Sequence, residues 1–503
     1  MIAEKILSGS SLGFKNSFLY FCKNQLRNYY YTIMAYETYI GDDFLLETPL
    51  ASELYHNHAE HMPIMDYHAH LDPRKIVADC QFRSITELWL QPGEYKWRAM
   101  RANGIREKYV TGDTSDWDKF RKWADTVPHL FRNPLYHWTH LELKRVFGID
   151  KVLNPETARE IYDECNAKLQ QPEYSMQNLI RRFNVKAICT ANDMTDSLAY
   201  HKLWREEKRD FRMYPTWKPD RIFEVEDVEK FNRYIDELSD VSGVVIRNYG
   251  SLVEALTNRH SYFHSQGCRI SDISIDSFYV EEYTAPEIDE IVIKIIQGKP
   301  LTAVEQNKLK AALLMMMCEM DYKAGWVQQY HVGVQTDLNT TMFKMLGRHS
   351  GFDGMNDKNL GVAMGKYFNR VFTRGLLCRT IVYNLNAKDF EMVAVILGSF
   401  QDGSYPGKLQ LGPAWWYLNN DQGMQRQLDA LSSHGLLSRF IGMATDSHCV
   451  LSYCRHEYFR RFLCNMIAND LDKGRLPMSE LERIGKMIED ICYNNAQNFF
   501  ILP

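Results

Sequence analysis

At 503 residues, 45% of them hydrophobic, the chain can bury a large core and is long enough for two or three domains or one large α/β barrel with insertions. Its 59 Lys and Arg against 64 Asp and Glu leave a net charge of −5. That balance argues against a nucleic-acid or polybasic membrane binder and leaves small molecules as partners. Eleven cysteines without a CxxC read as reduced thiols of a cytoplasmic protein, and no stretch approaches the ~18 uncharged apolar residues of a membrane span.

In chain order, residues 1–33 read as a non-native or disordered extension, because Met34 opens what looks like an ordinary protein start. Their "GSSLG" matches the nucleophile-elbow pattern around Ser11 but lacks the strand and helix that the motif needs. Residues 34–62 read as a helical segment, and 63–503 as a barrel. Eight short apolar runs ending in polar residues support that reading. They are "PIMDYHAH" (63–70), "VKAICTAND" (185–193), "RMYPTWKPD" (212–220) and "CRISDIS" (268–274). "WVQQYHVG" (326–333), "RTIVYNLN" (379–386), "KLQLGPAWW" (408–416) and "RFIGMATDS" (439–447) follow. Most links between them have room for a helix, which is the alternation of a (β/α)₈ TIM-type barrel. The first link, 71–184, is far longer and carries amphipathic segments, so it reads as a helical insertion.

In such a barrel the chemistry lies where strands end. The polar residues there include His68, His70, Asp193, Trp217, Lys218, Asp272, His331, Asn384, Trp415, Trp416 and Asp446, a set suited to metal-assisted work on a polar small molecule. Residues two apart on a strand share a face at about 6.6 Å, so His68 and His70 can converge on one cation at zinc–nitrogen distances of about 2.0–2.1 Å. His56-Asn57-His58 has the same spacing in a helical-looking segment, where the two rings diverge by roughly 200°. Asp446 offers a third ligand, with His331 nearby.

These residues, with the strings "DDFLLETPLASELYH", "EYKWRAMRANGI", "GWVQQYHVG", "GLLSRFIGMATDS" and "LSYCRHEYFRR", resemble the uronate (glucuronate) isomerases of the amidohydrolase superfamily. The resemblance covers about residues 40–503 and implies an aldose–ketose isomerase of hexuronates. The reactions would be D-glucuronate to D-fructuronate and D-galacturonate to D-tagaturonate, by proton transfer between C2 and C1. It implies a divalent metal, zinc foremost, on His68, His70 and Asp446, with Asp446 and Tyr95 as the catalytic pair. It also implies Lys218, His331, Trp416 and His448 as substrate-binding residues, and a homo-oligomer is compatible with it.

Departures cluster where the family binds its substrate. The family's T-D-S-R is "TDSH" here, placing His448 at the arginine, and its R-P-D is "KPD", placing Lys218 at another. Thr336 stands in an Arg-Asn run, Ile273 replaces a histidine after Ser271-Asp272, and Glu94 replaces the histidine before Tyr95. Arginine forks grip carboxylates bidentately, and neither lysine nor threonine reproduces that geometry. The metal triad is therefore expected intact and the carboxylate clamp weakened. An isomerase or epimerase of another sugar, a metal-dependent sugar lactonase or other hydrolase, and a non-catalytic binding relative remain alternatives at this point.

Overall fold

The computed structural model describes residues 38–207 and 209–503; the expectations for residues 1–33, the Ser11 pattern included, fall outside the described residues. The strands are β1 (Ile64–Ala69), β2 (Val185–Asp193), β3 (Arg212–Lys218), β4 (Ile270–Ile275) and β5 (Val327–Val332), then β6 (Val334–Gln335), β7 (Gly354–Met355), β8 (Thr380–Asn384) and β9 (Leu409–Leu411). Seven of them form one parallel sheet in the order β1-β2-β3-β4-β5-β8-β9, while β6 and β7 make a separate antiparallel pair. Every residue of β1, β5 and β8 is buried, as expected of parallel strands covered on both faces. Helices lie in every link of the main sheet, from Ala199–Glu206 between β2 and β3 to Phe390–Gly398 between β8 and β9.

The eighth expected strand does not form. Residues 439–447 run beside β1 but make only isolated contacts. Asp446 N donates to His68 O at 3.2 Å, and His70 N donates to Ser447 O at 3.1 Å. Two left-handed residues break the ladder, Gly442 (φ 75°) and Asp446 (φ 45°). A side chain at Gly442 would strike Ile491 O, 2.2 Å from an added Cβ, so only glycine fits that approach. Side chains close the seam instead. Asp66 accepts from Thr445 N at 3.2 Å and Thr445 Oγ1 at 2.8 Å, Tyr67 Oη donates to Gly442 O at 2.8 Å, and Gln410 bridges β9 to Arg439 and Ile441.

The link 71–184 holds seven α-helices, from Pro73–Val77 to Met176–Arg182. Its helix Glu94–Ala102 matters most, because it reaches the barrel mouth. Gly93 starts that helix where an added Cβ would lie 2.7 Å from Trp89 O, so a tight backbone approach sets the helix's position. In the 34–62 segment, Pro49–Leu54 is helical and continues into a π turn over Tyr55–Ala59. Among the described residues no helix is long and apolar enough to cross a membrane.

Candidate active site

A cavity of about 660 Å³ opens at the carboxyl ends of the strands. His68 and His70 come from the end of β1, Lys218 from β3, His331 from β5, and Asp446 and His448 from the closing segment. Trp416 borders the cavity from the loop after β9, and Tyr95 from the insertion helix. All eight residues singled out in the sequence thus border one space. Asp193, Trp217 and Asn384, also noted as polar strand ends, do not. Asp193 is engaged by Tyr234, Trp217 packs edge-on against Phe263, and Asn384 Oδ1 takes the Asn386 backbone.

His68 Nε2 and His70 Nε2 lie 2.9 and 3.0 Å from Asp446 Oδ1. Ligands on a tetrahedral ion with bonds of about 2.0–2.1 Å stand about 3.3 Å apart, so small shifts would admit a divalent cation among these three atoms. The charges agree with such a fit. Burial would raise the Asp446 carboxyl, yet the His68 and His70 rings outweigh it and hold it well below the ordinary range. Trp415 Nε1 donates to Asp446 Oδ2, and among the described residues no lysine or arginine forms an ion pair with this carboxylate. Asp446 and Trp416 both hold left-handed backbone, at φ 45° and 49°, a strain that clusters at functional sites.

A second histidine–carboxylate group shares His68. Asp272 accepts from His331 Nδ1 at 2.6 Å and from Lys218 Nζ at 3.0 Å, with His68 Nδ1 at 3.4 Å. Burial opposes ionisation of Asp272, but Lys218, His331 and His68 outweigh it and its carboxyl stays ionised. The Lys218 ammonium already balances that charge, so the Asp446 side is the better cation site. His331 Nε2 is buried without a partner, and burial lowers the ring's pKa against the pull of Asp272. A neutral ring with one unspent nitrogen at a cavity wall is available to a substrate hydroxyl.

Burial raises the Tyr95 hydroxyl far above its usual range, and the Asp446 charge adds to this, so it remains a proton donor. Glu94 also lines the cavity; burial first, then Asp353 and Asp446, push its carboxyl up to about 7. His448 stacks on His70 with ring centres 4.8 Å apart. Burial and the His70 charge lower it to about 4, so it is neutral near pH 7. Thr336 borders the cavity. Ile273 does not. It is fully buried in the apolar core, so its difference from the family pattern is no change to the cavity wall.

Sequence reasoning missed four basic residues of the cavity: Lys96, Lys310, Arg348 and Arg455. None stands at a strand end. Arg455 and Lys96 lie inside the quoted strings "LSYCRHEYFRR" and "EYKWRAMRANGI", which were the available signal.

A parallel sheet curled around a mouth that bears an HxH pair and a late aspartate defines the amidohydrolase type of barrel. The comparisons narrow this. A family model described as glucuronate isomerase matches residues 36–500. The chain is 52% identical to the uronate isomerase of Phocaeicola vulgatus over 465 residues, 92% of this chain and 99% of that one. The solved uronate isomerase of Thermotoga maritima superposes with a TM-score of 0.86 at 30% identity, over 92% of this chain and 99% of that chain. The glucuronate isomerase from Caulobacter crescentus gives 0.84 at 22% identity, over 92% and 97%, a likeness of fold. The chain belongs to the glucuronate isomerase family.

Proposed function

We propose that the protein interconverts the aldose and ketose forms of a hexuronate, D-glucuronate with D-fructuronate and D-galacturonate with D-tagaturonate. The observation that carries this is the convergence of Asp446, the two histidines and Tyr95 on one cavity of about 660 Å³. In the forward direction a base removes the C2 proton, the electrons shift to make an enediolate, and a proton returns at C1 while the C2 hydroxyl becomes the carbonyl. Asp446 is the ionised group placed for that transfer. Tyr95 keeps its proton and donates to the oxygen that gains negative charge. His331 offers its unpaired Nε2 to a hydroxyl of the bound sugar, Trp416 supplies an apolar face, and Lys218 and His448 line the space between them.

His68, His70 and Asp446 would hold a divalent ion, zinc by the preference of a two-imidazole, one-carboxylate donor set. When bound, it supplies Lewis acidity toward a sugar oxygen. A cytoplasmic setting belongs to the same proposal, since the ten cysteines of the described residues are free thiols.

The test is turnover by zinc-loaded protein, followed by proton NMR in deuterated water. Ketose appearing with deuterium entering the exchanging carbon, and no gain of water in the product mass, is the expected result. Hydrolysis of a sugar lactone with inert hexuronates would overturn the isomerase reading.

A further inference from the structure

Each cation bordering the cavity can be asked which anion it already serves. Lys218 is held by Asp220 at 3.1 Å and Asp272 at 3.0 Å. Lys310 pairs with Glu226 at 2.5 Å, and Arg348 with Glu224 at 2.5 Å. His448 is stacked on the His70 ring. Arg455 and Lys96 are different. Among the described residues neither takes part in an ion pair or donates a side-chain hydrogen bond. Arg455 is only 6% exposed, and its Nε is buried without a partner.

We propose that Arg455, with Lys96 beside it, binds the carboxylate of the substrate, doing the work that arginines at positions 218 and 448 would do. The assignment rests on the hexuronate reading above and names the residues that make it an acid-specific site. Arg455 lies on the helix Cys454–Asp472 and Lys96 on Glu94–Ala102, so they approach from two elements outside the strand ends. The guanidinium is 4.3 Å above the Trp138 ring and 5.7 Å from the Tyr95 ring centre, which places it on the Tyr95 side of the cavity. Lys96 lies over Trp89, its nitrogen 5.7 Å from the ring centre. Aromatic faces hold both cations, leaving the planar fork of Arg455 its hydrogens for a two-oxygen acceptor.

The fixed anions nearby do not cancel this charge. Glu142, buried close to Cys449 in the same fields, has Trp89 Nε1 as its one hydrogen-bond donor at 2.5 Å. Asp446, which also acts on Tyr95, is paired with His68 and His70, so Glu142 alone against two cations leaves a positive excess. Glu94, with its carboxyl up at about 7, contributes only part of a charge at neutral pH.

Calorimetric titration of the full-length, zinc-loaded protein with D-glucuronate and with its methyl ester separates charge recognition from the rest of binding. The unmodified protein should prefer the acid. Arg455→Lys should cut acid affinity about tenfold or more, and Lys96→Gln about threefold, each leaving ester affinity within about twofold. Melting temperature and zinc content report whether the buried Arg455→Lys variant folds; if it does not, the half-buried Lys96 position decides. An acid preference that survives both substitutions, or acid and ester weakened alike, overturns this assignment alone. An unmodified protein that binds neither ligand overturns the hexuronate reading and this assignment with it.

Discussion

Two buried carboxylates flank the His68 ring, and their other neighbours differ. Asp446 meets two imidazoles and an indole N–H, whereas Asp272 meets His331 and the Lys218 ammonium. Both sides of the ring therefore hold an ionised acid, but only one has a lysine as its partner. The partners of Asp446 are imidazoles, which give up a proton to become metal ligands, so that side can exchange its counter-charge for a cation. The difference teaches where a metal can compete. A metal would compete where the counter-charges are imidazoles, and would be excluded where a lysine already serves.

The strongest way to break this contrast is Asp446→Asn. The amide keeps the shape and loses the charge, so bound zinc should fall below about 0.2 equivalents and turnover by about ten-thousandfold. A full equivalent of zinc in that variant, measured by elemental analysis, would mean that the Asp272 side holds the ion.

Lys218→Met attacks the other side. It strands Asp272 and should destabilise the apoprotein by about 3–5 kcal/mol. Added zinc should recover part of that loss in thermal melts, because His68, Asp272 and His331 offer ligand atoms within 4.8 Å of one another. A second zinc equivalent would sharpen the comparison, and unchanged melting would break it.

Glu94 reads the Asp446 charge at a distance. Its carboxyl sits at about 7 in the fold, above its ordinary 4.5. The stability it contributes is complete below pH 4.5 and is lost as pH rises through 7. Glu94→Gln should abolish that decline, leaving the variant favoured at pH 8 relative to pH 4 by up to about 3 kcal/mol. Melting curves across pH give the answer, and zinc on Asp446 should shrink the effect in the parent protein by cancelling the repulsion.

The smallest effects belong to the other HxH pair. His56 is taken by Glu60 at 2.7 Å, and His58 by Glu489 at 2.7 Å. The two rings reach carboxylates on different elements and do not converge. Replacing both by alanine should leave zinc content unchanged and cost about 1 kcal/mol or less per pair.

Much of this was legible in the chain. Seven of the strand positions follow from short apolar runs with polar ends, and His68/His70 could be told from His56/His58 because alternation on a strand brings rings together and helical winding parts them. What escaped was whatever depends on neighbours across the fold. Residues 439–447 look like a strand, but the left-handed turns at Gly442 and Asp446 prevent a ladder. Ile273 looks like a lost ligand because its motif neighbour Asp272 faces the site, yet it packs into the core. That Lys218 is tied to Asp272 depends on β3 lying beside β4, and Arg455 borders the cavity from a helix that no strand-end rule covers.

The closing contact Asp446 N to His68 O joins positions 378 residues apart in the chain. At a synthesis rate of about 5–20 residues per second, the histidine pair leaves the ribosome roughly 20–75 s before its aspartate. During that interval every strand of the sheet, β9 included, can dock in order, while the barrel mouth lacks Asp446. The seam is thus also a clock. Asp446 is among the last of the cavity residues to be synthesised, and a nascent chain stalled before residue 446 would carry the two imidazoles without the aspartate.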